Sequence, residues 1–287
     1  MSIYVRANGS IVAFLILYVD DILLMGDNIL MLQDVKSWLG KCFAMKYLGE
    51  AACILGIKIY RDRSRRLIDL SQNAYIDKIL KRFKMNASKR RSLPMQPNVD
   101  LSKTQGPSTP AEVKRMKGVP YASVIGSIMY AVRYTRPYVA FSQNLTSRYQ
   151  QHPGESHWTI VMNILKYLRN TKDMFLVYGG DSTTELSVTC YTDAGAVDWK
   201  SSKQSTTAMS FIEAKYIAAC EAAMEAIWIH KFISWLGVVP IIQEGDIRIR
   251  KVHTDNNLAD PFTKPMSCTK HVEHSRNNGL RPPGSFM

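Results

Sequence analysis

Apolar residues 11–17 and 22–25 flank the polar group Tyr18-Val19-Asp20-Asp21. Two short apolar runs around a polar tip predict a tight β-hairpin with paired aspartates at its turn. After it, Asp27-Asn28 stands as a helix cap ahead of Ile29, Leu32, Val35, Trp38 and Leu39, which recur at helical spacing. A second hairpin is predicted from strands near 54–60 and 67–71 around the basic turn 61–66. Residues 93–118 carry Pro94, Pro97, Pro107 and Pro110 among Ser, Thr, Gln and Lys, a composition that reads as a linker or an extended connection. Helices follow at about 121–134, 138–150 and 156–170, the last with Trp158, Val161, Ile164, Leu165 and Leu168 as an apolar stripe. An alternating strand over 186–191 and a long helix over 210–236 complete the pattern, with Gly237 as helix terminator.

At 287 residues and 46% apolar content the chain has material for two or three small cores. The pattern implies an α+β fold. Five cysteines, odd in number and widely spaced, fit reduced thiols better than a disulfide framework. The longest apolar run is interrupted by Asp20 and Asp21 and is too short to span a bilayer, and residues 1–19 lack a small-residue cleavage site. The expectation is an intracellular protein, in cytoplasm or nucleus, with no membrane partner.

Lys and Arg number 37 against 24 Asp and Glu, a formal charge of +13. Such a surplus favours phosphate backbones through counterion release. The charge is clustered at Arg61, Arg63, Arg65 and Arg66 and again over residues 81–91, with Tyr60, Tyr75 and Phe83 interleaved as possible stacking surfaces. A solvated charged face is the alternative for any one of these residues. Adjacent carboxylates at a hairpin tip form a hard-oxygen site suited to Mg²⁺, which neutralises charge on a transferring phosphoryl group. Cys268, His271 and His274 have metal-ligand types, but three ligands in one short segment read as a chance cluster.

Tyr18-Val19-Asp20-Asp21 resembles the Tyr-Val-Asp-Asp motif of reverse transcriptases, and the following stretch, 43–50 included, resembles the copia-type retrotransposon Pol polyprotein. The resemblance implies a partial polymerase palm over 1–93, in which Asp20 and Asp21 are catalytic metal ligands and Leu55-Gly56 contacts the primer terminus. Past the linker that composition marks over 94–118, it implies a helical connection region over 119–180, which resembles the family from Val119 through Tyr138. Tyr191-Thr192-Asp193-Ala194, residues 199–205, residues 213–218 and Asn257–Pro265 are similar to copia-type ribonuclease H. By that resemblance Asp193, Glu213 and Asp260 are catalytic carboxylates of a mixed-sheet domain over 186–266, followed by a tail over 267–287. Mg²⁺ is the implied cofactor, and RNA, DNA and RNA–DNA hybrid are the implied partners.

Departures from the family temper the activity. Only residues 194–198 separate Asp193 from Trp199, where the family carries a second strand, and residues 240–252 replace the strand with its Cys-Asp-Asn motif and third metal carboxylate. Asp246 and Asp255 stand near but outside that motif. The family's fingers and its other palm aspartate lie further upstream of the Asp-Asp hairpin than residue 1. The expectation is a truncated polymerase fragment with an eroded ribonuclease H domain, catalytically incompetent as this chain. The alternative is a non-catalytic basic nucleic-acid-binding or interaction protein derived from it.

Overall fold

The fold was read from a computed structural model that describes residues 2–8, 11–26, 28–179, 190–191, 211–235 and 250–283, with side chains described for 218–231 of the segment 211–235. The chain divides into two compact units. One comprises Met1–Ala52, Thr183–Cys190 and Ala223–Arg250, the other Cys53–Ser182, Tyr191–Ala222 and Lys251–Met287.

In the first unit a three-stranded antiparallel sheet runs in the order β1 (Ser2–Asn8), β2 (Ile11–Tyr18), β3 (Asp21–Gly26). The continuous apolar run of β2 suits its central place, where Val12, Ala13 and Phe14 are buried. The edge strand β1 is exposed throughout and was not foreseen in the sequence. The expected hairpin is present, with Tyr18 paired to Asp21 and only Val19 and Asp20 between them. Helix α1 (Ile29–Cys42) starts where expected, because Asn28 accepts a hydrogen bond at its side-chain oxygen from the Met31 N–H at 2.9 Å. Its apolar stripe has no buried member, and Ile29, Leu30 and Trp38 are exposed.

The second unit is built on a five-stranded antiparallel sheet, in the order β4 (Cys53–Ile54), β5 (Ile57–Asp62), β6 (Leu67–Ser71), β7 (Phe175–Gly179), β8 (Leu280–Arg281). The strand expected near 54–60 is therefore split. Leu55 and Gly56, at φ 53° and 73°, make the tight turn between β4 and β5. Two successive positive φ values are the type I′ pattern, which matches strand twist and favours Gly at its second position.

Helices α2 (Asn73–Arg82), α3 (Pro110–Lys117), α4 (Tyr121–Tyr134), α5 (Ala140–Ser147) and α6 (Glu155–Thr171) follow. Ile76 and Leu80 of α2, Val124, Ile125 and Ile128 of α4, and Val161, Ile164, Leu165 and Leu168 of α6 form the main core. These side chains recur at three- and four-residue spacing, so each helix turns one stripe inward. Burying each contributes on the order of 2 kcal/mol.

Three expectations about boundaries change here. The segment 94–118 is packed, with Met95 and Leu101 buried, a short 3-10 turn at Lys103–Gln105, and α3 capped reciprocally by Thr109 and Glu112. Tyr149 donates to the Leu101 carbonyl at 2.6 Å, and His157 bridges the Ser102 carbonyl at 3.1 Å and the Gly154 N–H at 2.8 Å. Residues 53–93 share a sheet with the segment 119–180, because β6 pairs with β7. Finally, the expected tail carries α9 (Cys268–Asn277) and β8, whose Leu280 is buried beside Tyr138 and Leu176.

Helix α7 (Phe211–Trp235) matches the long helix expected over 210–236, and the short α8 spans Asp260–Thr263. The expected strand over 186–191 lies outside the described residues except for Cys190 and Tyr191, which are not in a strand. Both sheets among the described residues are antiparallel, so the mixed sheet expected for the ribonuclease H domain is not among them. No described helix is long and apolar enough to cross a membrane.

Candidate functional site

The paired aspartates sit at the exposed tip of the β2–β3 hairpin, Asp20 as the second turn residue and Asp21 as the first residue of β3. Val19, the first turn residue, has φ 51° and is 77% exposed. A β-branched side chain in the left-handed region costs on the order of 1–3 kcal/mol and points to a functional constraint on the turn. The strain keeps a two-residue connection and so holds both aspartates at the tip. Among the described residues neither carboxylate has a hydrogen-bond or ion-pair partner. Carboxylate oxygens are the donor type taken by Mg²⁺, which coordinates through a few carboxylates and keeps several waters.

The basic turn lies between β5 and β6. Asp62 organises it, accepting from the Ser64 N–H at 2.9 Å, the Ser64 hydroxyl at 2.6 Å and the Arg65 N–H at 3.1 Å. The Ser64 hydroxyl first, and then the Arg65 N–H, hold the Asp62 carboxyl below its usual range. Arg65 Nε also approaches that carboxylate to 3.8 Å. The turn closes through Arg66 at φ 51°, and Gly179 at the end of β7 lies directly against it. A Cβ on Gly179 would stand 2.1 Å from the Arg66 carbonyl oxygen, so only glycine allows this approach. Arg61, Arg63, Arg65 and Arg66 are all exposed on this fixed turn.

Of the aromatics interleaved with the basic residues, only Tyr60 is strongly exposed, and it faces the side of the sheet opposite to Arg61. Tyr75 and Phe83 pack against the helical core. Leu55 and Gly56 form their own turn, and the Tyr130 hydroxyl of α4 donates to the Leu55 carbonyl. This contact joins positions 75 residues apart and leaves no signal in the local sequence.

The three carboxylates expected for the nuclease are not assembled among the described residues. Asp193 lies outside them, and of Glu213 only its place in the first turn of α7 is described. Asp260 opens α8 and is 2% exposed, with its Oδ2 bound by Lys264 Nζ at 2.8 Å and its Oδ1 without a hydrogen-bond partner. Asp255 pairs with Lys270. On α9 the Cys268 side chain is exposed while His271 and His274 are buried, and no group of three metal-ligand side chains occurs among the described residues. Burial holds His271 down to about 4. These histidines therefore belong to the packing of α9, with the Tyr167 ring edge-on to His271 at 5.3 Å.

Comparison with known proteins adds an independent line. Residues 1–97 match a family described as reverse transcriptase (RNA-dependent DNA polymerase). A retrovirus-related Pol polyprotein from transposon TNT 1-94 of Nicotiana tabacum is 40% identical over 78% of this chain and 18% of its own length. The retrovirus-related Pol polyproteins from transposons RE2 and RE1 of Arabidopsis thaliana are 26% and 27% identical over 97% of this chain and 22% of their own lengths. The chain thus spans about a fifth of these relatives. No solved structure matches it.

Proposed function

Because the chain belongs to the Pol polyproteins of copia-type retrotransposons, we propose that it is a nucleic-acid-engaging piece of an RNA-directed DNA polymerase that does not catalyse polymerisation as this chain alone. In this reading Asp20 and Asp21 are one part of the polymerase metal site, and Mg²⁺ bound there would neutralise charge on the incoming phosphates. Leu55 and Gly56 form the turn that meets the primer terminus, and Tyr130 fixes its backbone. Asp193, Glu213 and Asp260 are the remains of a ribonuclease H site. The Lys264 ammonium on Asp260 supports erosion, since a buried carboxylate already neutralised by a lysine is a poorer ligand for a second cation.

The observation that carries the reading is the basic turn, where four arginines extend from a backbone held by Asp62 and closed against Gly179. Long guanidinium side chains on a fixed turn can meet phosphates of RNA, DNA or a hybrid duplex with little dependence on base sequence. If about four to six basic groups contact duplex phosphates, log K falls with log salt at a slope of about −4 to −5. Anisotropy titrations at several salt concentrations test this, with a variant in which Arg61, Arg63, Arg65 and Arg66 are alanine beside the parent. The variant should bind more weakly with a flatter slope. A parent affinity indifferent to salt, or a variant indistinguishable from it, would show that the turn is only a solvated loop.

The second reading, a non-catalytic nucleic-acid-binding or interaction protein in which the carboxylates are relics, is favoured by the closed state of Asp260. Mg²⁺ titration separates the two at the hairpin, where a functional pair binds the ion and loses it on Asp20→Asn.

A further inference from the structure

The end of the five-stranded sheet nearest the basic turn carries a surface that the foregoing reading leaves unused. Strand register sets Arg61 opposite Ile68 and Ile68 opposite Tyr178. The three side chains therefore share one face across β5, β6 and β7, with Arg61 and Tyr178 about 10 Å apart at Cα, two strand spacings. Towards the helices this face is closed, since Leu70 pairs with Leu176 and Leu176 with Leu280, and the last two are buried. Towards the turn it is open, with Ile68 39% and Tyr178 48% exposed. Gly179, which follows Tyr178, is the residue lodged against the Arg66 carbonyl, so the ring and the basic turn are held together by backbone.

Among the described residues of β5, β6 and β7, the acidic side chains Asp62 and Asp69 alternate onto the face opposite to this row. Asp62 is committed to Ser64 and Arg65, and the Asp69 carboxylate lies on the opposite face, paired across the ladder with Tyr60 and Val177. An exposed ring, an apolar neighbour and guanidinium groups on a rigid sheet complement a flexible polyanion with flat apolar bases.

We propose that Arg61, Ile68 and Tyr178 form a stacking site for the unpaired bases of a single-stranded nucleic acid, with Tyr178 as the platform and Arg61 and Arg66 against the neighbouring phosphates. The proposal rests on the reading that the basic turn meets nucleic acid, and it adds strand selectivity to it. Duplex bases are stacked on one another and offer Tyr178 no face, whereas a single strand does.

The test measures binding of the full chain to oligouridylate, oligothymidylate and a blunt duplex across a salt series, for the parent, Tyr178→Phe and Tyr178→Leu. Loss of one stacked base costs about tenfold in affinity. Tyr178→Leu should lose about that factor on single strands while keeping the parent's duplex affinity and salt slope, and Tyr178→Phe should bind as the parent does. Photocrosslinking of a 5-iodouracil oligonucleotide to the parent needs no variant, and its crosslinked peptide should contain Tyr178. Single-strand affinity unchanged in Tyr178→Leu, an equal loss on duplex, or crosslinks confined to other peptides would overturn the stacking site while leaving the basic turn intact. Absence of any salt-dependent binding by the parent would overturn both.

Discussion

His271 shows how a residue of metal-ligand type can serve packing alone. Cys268, His271 and His274 read in the sequence as a chance cluster, and His271 is buried on the inner side of α9. Its ring faces Tyr167, the backbone at Tyr138, Ser275 and His274, while the Lys270–Asp255 pair lies on the outer side of the same helix. Burial disfavours the imidazolium, taking the group from 6.5 to about 4. The unfolded chain then binds the proton first as pH falls, so stability is complete above about pH 6.5 and is lost progressively towards pH 4, by roughly 3 kcal/mol for this group. His157, lowered by burial as well, acts in the same direction. Urea unfolding from pH 7 to pH 4 should show this loss, and His271→Leu should flatten it. An unchanged pH dependence in the variant would mean that His271 ionises in the folded state without penalty.

Among elements, the junction of α4, α6 and β7 depends on one side chain. Arg136 is fully buried, with Nη1 donating to the Thr135 carbonyl at 2.8 Å and Nη2 to the Thr171 and Met174 carbonyls at 2.5 and 2.9 Å. These acceptors lie at helix C-termini and just beyond, where carbonyls lack intrahelical partners and the helix dipoles favour a cation. Burial lowers the guanidinium to about 10, so it stays charged at neutral pH. Arg136→Met leaves several buried carbonyls unpaired and should cost about 3 kcal/mol or more, with Arg136→Lys intermediate because an ammonium lacks the planar fork. Chemical denaturation measures both. A loss below about 1 kcal/mol in Arg136→Met would show that water replaces the guanidinium there.

For the whole molecule, the expected outcome with Mg²⁺ or Mn²⁺ is no primer extension and no appreciable cleavage of the RNA strand of a hybrid by the 287-residue chain. Phosphoryl transfer is mostly positioning, and two carboxylates on a hairpin tip do not by themselves hold a triphosphate in line with a primer hydroxyl. A purified-chain assay decides the matter. Template-dependent extension that disappears on Asp20→Ala would overturn the inert reading, as would hybrid cleavage abolished by Glu213→Gln.

The sequence by itself determined the elements whose signal is local. The Asp-Asp hairpin, the Asn28 cap, helices α4 and α6 and the extent of α7 follow from apolar periodicity and turn chemistry over a few residues. Kinship with retrotransposon polymerases was legible for the same reason, since the motif letters are contiguous. Tertiary structure alone decided what those elements meet. The polar composition around residue 100 suggested a linker, but Met95 and Leu101 find a core made by helices further along the chain. Leu55-Gly56 became a separate turn through pairing of β4 with β5, and its carbonyl is held by a tyrosine from α4. Tyr178 shares a face with Arg61 only because β6 and β7 are paired across more than a hundred residues. Strand pairing and burial are properties of distant partners, and no local window of the chain contains them.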